Sequence, residues 1–143
     1  MSAIPETAVI AKLKATSAVT ALVSTRIYPR IAPQDASMPY IVVTRPSGET
    51  RPQRANKPTT FCVTPMSVFC VAETYQASRD VSTQAVLSLQ PNTANTGSAT
   101  WGAVAVDHCT VLGTHDGSGN PQLADEIGFP VEIVEIDLFH LTA

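Results

Sequence analysis

Apolar and polar residues follow one another along this chain with two periods, one typical of helices and one typical of strands. From Ala77 to Leu89 an apolar residue recurs at every fourth position, which predicts an amphipathic helix. Near the C-terminus, Glu135 and Asp137 alternate with aliphatic residues, which predicts a strand with one polar side. The elements predicted in chain order are helices over 5–15 and 18–23, strands over 27–28, 40–44 and 60–72, a helix over 76–90, and strands over 100–113 and 129–141.

Local residue chemistry predicts where the helices begin. Pro5 suits the first helical position, because the N–H that it lacks would have no helical partner there. Ser17 and Thr74 carry hydroxyls that can accept the unpaired N–H groups of a first turn, so both are predicted caps. The apolar period breaks at Thr16 and Ser17, so we expect two helical pieces with a bend between them.

This order of elements predicts an α+β fold in which helices pack on a mostly antiparallel sheet. At 143 residues and 15.1 kDa, the chain is expected to form a single domain over residues 1–143. Pro65 interrupts the donor pattern of its strand, which predicts an edge position, a bulge or a divided strand. In the strand over 100–113, strict alternation places Val106 and Leu112 on one face and Cys109 on the other.

Residues 46–59 interrupt the regular pattern with three prolines and one glycine, and they are predicted to form a long loop. Arg51, Arg54 and Lys57 lie in this loop, and Arg45 directly precedes it. Three interpretations are open for this basic patch: a solvated loop, a contact with an acidic protein surface, or a contact with a nucleic-acid backbone.

Charge is divided unevenly along the chain. Residues 1–80 contain all 9 Lys and Arg and 5 acidic residues, a net charge of +4. Residues 81–143 contain 7 acidic residues and no Lys or Arg, a net charge of -7. Two interpretations are open: the folded chain mixes the two halves, or oppositely charged surfaces meet in neighbouring copies.

The sequence offers no candidate catalytic, metal or cofactor site. Its histidines lack the nucleophile and orienting acid that a hydrolase triad needs, and no G-x-S-x-G is present. Cys62, Cys70 and Cys109 form no metal-binding motif, so three buried free thiols are predicted. The apolar runs are too short for a transmembrane helix, and no signal peptide is recognised, so a cytoplasmic site of synthesis is expected.

The stretch "AVTALVSTRIYPRIAPQDASMPYIVVTRPSGE", residues 18–49, resembles the tail-terminator family of long-tailed phages, also called tail-completion or head-to-tail joining proteins. The resemblance covers roughly residues 5–90 and departs from the family pattern at Pro65, where the family strand runs uninterrupted. The backbone-steering and packing residues that carry the motif are Arg26, Ile27, Tyr28, Pro29, Pro33, Pro39 and Tyr40, with Leu22, Val23, Ala32 and Ala36 beside them.

The resemblance implies a structural virion protein without enzymatic activity or cofactor. Members of the family look like subunits of a hexameric ring at the head-proximal end of the tail tube. The ring stops tube polymerisation and joins the tail to the head, and genomic DNA passes through its lumen. The implied partners are further copies of the chain, the tail tube protein and the head-completion or stopper protein, with assembly in the host cytoplasm.

Within this interpretation, Arg45, Arg51, Arg54 and Lys57 are expected to contact the tube, a neighbouring subunit or the DNA path. Two other functions stay open at this point. One is a head-completion or stopper protein of the same neck, which would bind filled heads. The other is a non-viral cytoplasmic ligand-binding or adaptor domain, which would bind a small molecule and no particle.

Overall fold

The structure, a computed structural model, describes residues 5–33, 35–45, 60–89, 99–101, 104–116 and 130–142. The predicted loop over 46–59 lies outside these residues, and the prediction of one domain over 1–143 stays a prediction. The elements are α1 Pro5–Lys14, α2 Ser17–Val23, β1 Ile27–Pro29, β2 Tyr40–Thr44, β3 Thr60–Val71, α3 Tyr75–Leu89, β4 Ala99–Trp101, β5 Val104–Asp116 and β6 Val131–Thr142.

Within the described ranges, six strands form one sheet in the order β1-β2-β3-β6-β5-β4. β1 and β2 are parallel, and every other neighbouring pair is antiparallel. The longest pairing runs through β3 and β6, from Thr60 opposite Thr142 to Val71 opposite Val131. The predicted α+β class with a mostly antiparallel sheet is therefore confirmed.

The three helices cover one face of the sheet and form the main core with it. Apolar side chains of α1, α2 and α3 pack there against β2, β3 and β6. The fully buried residues at its centre include Leu13, Ile41, Met66, Leu89, Ile136 and Leu138. None of the helices in the described part of the chain is long and apolar enough to cross a membrane.

The bend between α1 and α2 is held by Thr16 rather than by a cap at Ser17. Ser17 is the first residue of α2, and the preceding Thr16 has extended backbone with no side-chain cap bond. The Thr16 hydroxyl instead donates to the carbonyl of Lys12 at 2.9 Å and lies 2.6 Å from the hydroxyl of Ser88 in α3. Because the single Thr16 proton is used on Lys12, Ser88 is the donor to Thr16.

The start of α3 is capped as predicted, since the N–H of Ala77 donates to the Thr74 hydroxyl at 3.1 Å. Serines lie on its buried side beside the predicted aliphatic residues. Ser78 and Ser82 donate to the carbonyls of Tyr75 and Arg79 at 2.8 and 2.9 Å, so their hydroxyls are paired within the helix. The buried side chains of α3 are Ser78, Val81, Ser82, Ala85, Ser88 and Leu89, whereas Ala77 is half-buried.

The predicted single strand over 100–113 is wrong, because the structure divides it into β4 and β5. These strands pair antiparallel, with Trp101 opposite Val104. Register shifts follow Val106 and Val111 along β5. Each shift changes which residues face the core, so Val106 and Cys109 both enter it and Leu112 is 60% exposed.

Pro65 lies opposite Asp137 in an unbroken β3–β6 ladder, so neither the predicted bulge nor the predicted division occurs. The N–H of Ala72, just after β3, donates to the carbonyl of Pro130 at 3.2 Å, so this N–H points toward β6. Successive N–H groups of a strand point to alternate sides, so the N–H that Pro65 lacks would point toward β2. Pairing with β2 ends at Ser67, which leaves Pro65 at a local edge of a central strand.

Candidate functional site

Most of the residues that carry the family resemblance lie in the segment that contains β1 and leads into β2. We call this segment the crossover, residues 26–33 and 35–40. Two backbone bonds join its ends across the parallel pair. The N–H of Ile41 donates to the carbonyl of Arg26 at 3.0 Å, and the N–H of Arg30 donates to the carbonyl of Val43 at 2.8 Å.

A side-chain hydrogen bond links the two ends of the crossover. The Nε of Arg26 donates to the carbonyl oxygen of Pro39 at 3.0 Å, thirteen positions along the chain. A guanidinium donor makes a stronger bond than a neutral one, and the planar group holds its direction. Arg26 therefore fixes both the exit from α2 and the entry to β2, since its own carbonyl accepts from Ile41.

Aromatic rings pack beneath the crossover on the face of the sheet opposite the helices. Tyr28 and Tyr40 meet edge to face, with ring centroids 6.1 Å apart. Burial, and secondly the neighbouring Tyr28, raises the pKa of Tyr40. The crossover residues Ala32, Ala36 and Met38 pack against this small cluster with Phe69. The structure thus brings Tyr28, Tyr40, Ala32 and Ala36 of the motif into one cluster, whereas Val23 and Ile27 pack in the main core.

The outer edge of β1 is closed to a further strand. The N–H of Ile27 donates to the carbonyl of Thr25 at 2.8 Å, and the N–H of Ile31 donates to the carbonyl of Pro29 at 2.7 Å. Pro29 has no N–H to offer. The backbone groups that a pairing strand would need are therefore mostly occupied or absent.

The predicted basic patch is represented in the described residues by Arg45 alone, because Arg51, Arg54 and Lys57 lie outside them. The Nε of Arg45 is 3.6 Å from Oε1 of Glu6, and the Glu6 side chain is only 6% exposed. Glu6 lies in the first turn of α1, where the positive helix end favours a carboxylate. Arg45 thus ties the end of β2 to the helical side of the sheet.

Beyond the crossover, the sheet surface opposite the helices is covered by no described helix or strand. We call this part the acidic face, after its two carboxylates. Glu135 accepts a bond from Ser67 at 2.9 Å, and Asp137 lies opposite Pro65. The half-buried side chains of the acidic face are Val63, Pro65, Phe69, Glu135, Asp137 and Phe139. The sequence predicted the polar side of β6 but not that the described helices pack on the opposite face.

Buried polar groups also lie on the helical side of the sheet, and no sequence pattern predicted them. The hydroxyl oxygen of Thr64 lies 2.7 Å from Nε2 of His140, and both side chains are buried. Glu132 is 3% exposed, and its Oε2 has no hydrogen-bond partner within the part of the chain that the structure describes. It lies opposite Cys70, whose pKa is raised by burial and then by this carboxylate.

Cys62, Cys70 and Cys109 are buried, as predicted. Within the described ranges, no three His, Cys, Asp or Glu side chains are grouped closely enough to hold a metal ion.

Comparisons with known proteins gave one family match, which includes the crossover, and one structural match over most of the chain. Residues 7–59 match the family model described as tail completion protein gp17. The fold is similar to that of a chain in the virion of a native gene transfer agent particle, with a TM-score of 0.65. The two are 12% identical, and the match covers 94% of this chain and 92% of that chain, so the likeness shows a shared fold. No curated protein matches this chain in sequence.

Proposed function

We propose, from the confirmed resemblance to the phage tail-completion family, that this chain is a tail terminator. The family match and the shared fold support a structural role in a virion tail. The observation that carries the proposal is that the family match includes the whole crossover, whose ends are linked by the Arg26 side chain and by backbone bonds to β2. The proposed terminator forms a hexameric ring that caps the head-proximal end of the tail tube, stops tube polymerisation and joins the tail to the head.

The geometry of the crossover supports a ring subunit. A closed ring uses two different patches on each copy, and those patches must keep a fixed angle to close. The Arg26 bond and the parallel β1–β2 pair hold the crossover in one conformation. The closed edge of β1 disfavours open-ended addition of strands, which would compete with closure.

The proposed partners follow from this position in the particle. The ring contacts further copies of itself, the tail tube protein and the head-completion or stopper protein, and genomic DNA passes through its lumen. Arg45, Arg51, Arg54 and Lys57 are the proposed contact residues. The role is structural and non-enzymatic, and the protein resides at the head–tail junction of the virion after assembly in the host cytoplasm.

The first experiment locates the protein in purified particles by quantitative mass spectrometry and antibody-labelled electron microscopy. The terminator proposal expects about six copies, labelled at the head–tail junction. Binding of the purified chain to isolated tails, and not to filled heads, separates a terminator from a stopper. Absence from particles contradicts both neck functions and favours the adaptor alternative.

A second experiment tests the basic patch. The triple variant Arg51→Glu, Arg54→Glu and Lys57→Glu is expected to fold but to leave heads and tails unjoined. The control variant reverses exposed positive charges elsewhere, with Lys14 and Arg79 replaced by Glu. Normal yields of infectious particles from the first variant would contradict a contact role for these residues.

A further inference from the structure

We infer that the tip of the crossover, residues 29–31, packs on the acidic face of a second copy of this chain. The inference rests on the proposed function and deepens it, because it names the two different patches that a ring subunit uses. Arg30 of one copy pairs with Glu135 and Asp137 of the next, and Ile31 packs against apolar side chains beside them. Every residue of this contact lies in the described part of the chain.

The tip is a strained turn that the fold holds in one shape. The N–H of Ile31 donates to the carbonyl of Pro29 at 2.7 Å, which closes a three-residue γ-turn, and Arg30 at its centre has a φ of 67°. A positive φ is costly for a residue with a side chain and persists only where the surrounding structure holds it. Here the N–H of Arg30 donates to the carbonyl of Val43 at 2.8 Å, and Ala32 packs against the aromatic cluster beneath the crossover. Strained residues that are held in this way are typical of binding segments.

The side chains of the tip point away from the rest of their own copy. Ile31 is 80% exposed, the largest exposed fraction among the large hydrophobic side chains that the structure describes. Arg30 is exposed and forms no ion pair with a described Asp or Glu. One exposed isoleucine is ordinary on a protein surface, but this one stands beside an unpaired cation on a fixed turn. The tip therefore offers a partner one apolar and one cationic side chain.

The acidic face has groups that complement both side chains. Glu135 and Asp137 are two positions apart on β6, so they project from the same side about 6.6 Å apart. Neither carboxylate forms an ion pair with a described Lys or Arg, and Ser67 donates to one oxygen of Glu135, which orients that carboxylate. Phe139 follows on the same side of β6 with Val63 opposite it on β3, and both are half-buried. An anionic patch and an apolar patch therefore lie side by side, as the cation and the isoleucine do on the tip.

The acidic face is open toward β5. Gly113 lies opposite Glu135, and a side chain added at Gly113 would meet no described atom within 4 Å. Thr110, opposite Asp137, is exposed. A neighbouring copy can therefore approach the two carboxylates from this side without displacing a described side chain.

The tip of a copy does not cover the acidic face of the same copy. The bond from Arg30 to Val43 places the tip beside β2, on the side of β1. Three strand spacings, about 14 Å, separate β1 from β6, which carries the two carboxylates. The high exposure of Ile31 and the missing ion pair of Arg30 show that the tip is not folded back across this distance.

The division of charge along the chain favours a second copy over a different protein. The tip lies in residues 1–80, which have a net charge of +4, and the two carboxylates lie in residues 81–143, which have a net charge of -7. Each copy therefore carries both members of a complementary pair. Because the tip and the acidic face are different patches, the contact is heterologous, and a rotation can repeat it around a closed ring.

Charge reversal in the purified full-length chain tests the ionic part of the contact. The tip variant carries Arg30→Glu, and the face variant carries Glu135→Lys with Asp137→Lys. Each alone is expected to weaken self-association at least about tenfold in sedimentation analysis, because like charges then face each other. An equal mixture is expected to recover association, since alternation of the two variants around a ring restores opposite charges at every contact. The matched control, Glu73→Lys with Asp80→Lys, reverses exposed acids elsewhere and is expected to associate normally.

Replacement of Ile31 by Ser tests the apolar part. The variant is expected to weaken self-association about tenfold, because the contact loses the burial of an aliphatic side chain. Its fold is expected to be unchanged, since Ile31 is 80% exposed in the single copy. Leu87→Ser is the matched control, because Leu87 is 66% exposed on α3 and lies outside the contact. Equal weakening by both substitutions would contradict a specific role for Ile31.

Zero-length cross-linking locates the contact directly. Arg30→Lys keeps the positive charge of the tip and supplies an amine, which a carbodiimide condenses with a carboxylate to an amide with loss of water. Position 30 is expected to couple to Glu135 or Asp137. In an equal mixture of ¹⁴N- and ¹⁵N-labelled chains, half of the products are expected to carry both labels.

Several results would overturn the inference. They are a chain that stays monomeric at every concentration, cross-links at these residues that are absent or confined to one copy, and a mixture of the charge variants that does not recover association. A tip variant that self-associates normally but no longer binds isolated tails would assign the tip to the tail tube instead. Particle localisation tests the proposed function separately, so either can fail alone.

Discussion

The guanidinium Nε of Arg26 donates to the backbone carbonyl of Pro39 at 3.0 Å, which links the residue before β1 to the residue before β2. The two strands are parallel neighbours, so the chain must travel back along the sheet between them. Loop closure of this kind costs conformational entropy. The Arg26 bond offsets part of that cost and aligns Ile27 with Ile41.

Replacement of Arg26 by Gln is expected to lower the free energy of unfolding by about 1–2 kcal/mol, because a charged hydrogen bond to a part-buried carbonyl is lost. Chemical denaturation monitored by circular dichroism measures the change. Arg30→Gln is the matched control, since it removes the same charge from an exposed side chain in the same segment. Equal stability of the two variants would show that the Arg26 bond contributes nothing.

The hydrogen bond from Ser88 to Thr16 is the second target, since it joins α3 to the bend between α1 and α2 at 2.6 Å. Ser88→Ala is expected to destabilise the fold by about 0.5–1 kcal/mol, with the better helix propensity of alanine offsetting part of the loss. Ser82→Ala is the matched control on the same buried side, because the Ser82 hydroxyl bonds only within its own helix. Thermal unfolding compares the two. The prediction fails if Ser82→Ala is the more damaging change.

The local elements of this fold could be predicted from sequence because their signals are local. The four-residue period of α3 and the Thr74 cap lie within one segment, and so does the alternation in β6. The division of residues 100–113 into β4 and β5 could not be predicted, because Trp101, Ala103 and Val104 follow one another without a polar break. Two register shifts then change which residues of β5 face the core. Such shifts depend on how β5 pairs with β6, which is not a local property of the sequence.

The crossover residues could be predicted as a group, but their mutual contacts could not. The motif indicated that Arg26 and Pro39 belong together without showing that one side chain bonds the other's carbonyl. The acidic face is a non-local property: the sequence predicts that Glu135 and Asp137 share one side of β6, and only the packing of the helices shows that this side lies opposite them. The pairing of Glu6 with Arg45 likewise joins residues 39 positions apart.

The Glu6–Arg45 ion pair is predicted to stabilise the fold. Arg45→Gln is expected to cost about 1–2 kcal/mol, because it leaves a buried carboxylate without its cation. This cost is smaller than that of breaking a fully buried pair, because the Arg45 side chain is 35% exposed and solvent screens the interaction. In Glu6→Gln the buried charge is absent, so adding Arg45→Gln to that variant is expected to cost little. A double-mutant cycle in urea measures this coupling, and additive effects would contradict it.

The buried thiols predict a loss of stability at alkaline pH. Burial, and secondly Asp137, raises the pKa of Cys109 to about 12, and the pKa of Cys70 is raised as well. Above the ordinary thiol pKa of 9.0, the unfolded chain releases these protons while the folded chain retains them. Stability is therefore complete below pH 9 and falls as the pH rises towards the folded values, by up to about 1.4 kcal/mol per pH unit for each thiol.

Cys109→Ala separates this effect from general alkaline unfolding. The variant is expected to be less stable at neutral pH by about 1 kcal/mol, because a small cavity replaces the sulfur. Its stability is nevertheless expected to fall less steeply than that of the unaltered chain between pH 9 and 10. That window lies below the ordinary pKa of 10.0 for tyrosine, so Tyr40 contributes little there. Urea denaturation under reducing conditions gives both slopes. Identical slopes would mean that Cys109 ionises in the folded chain, which requires that water reaches it between β5 and the helices.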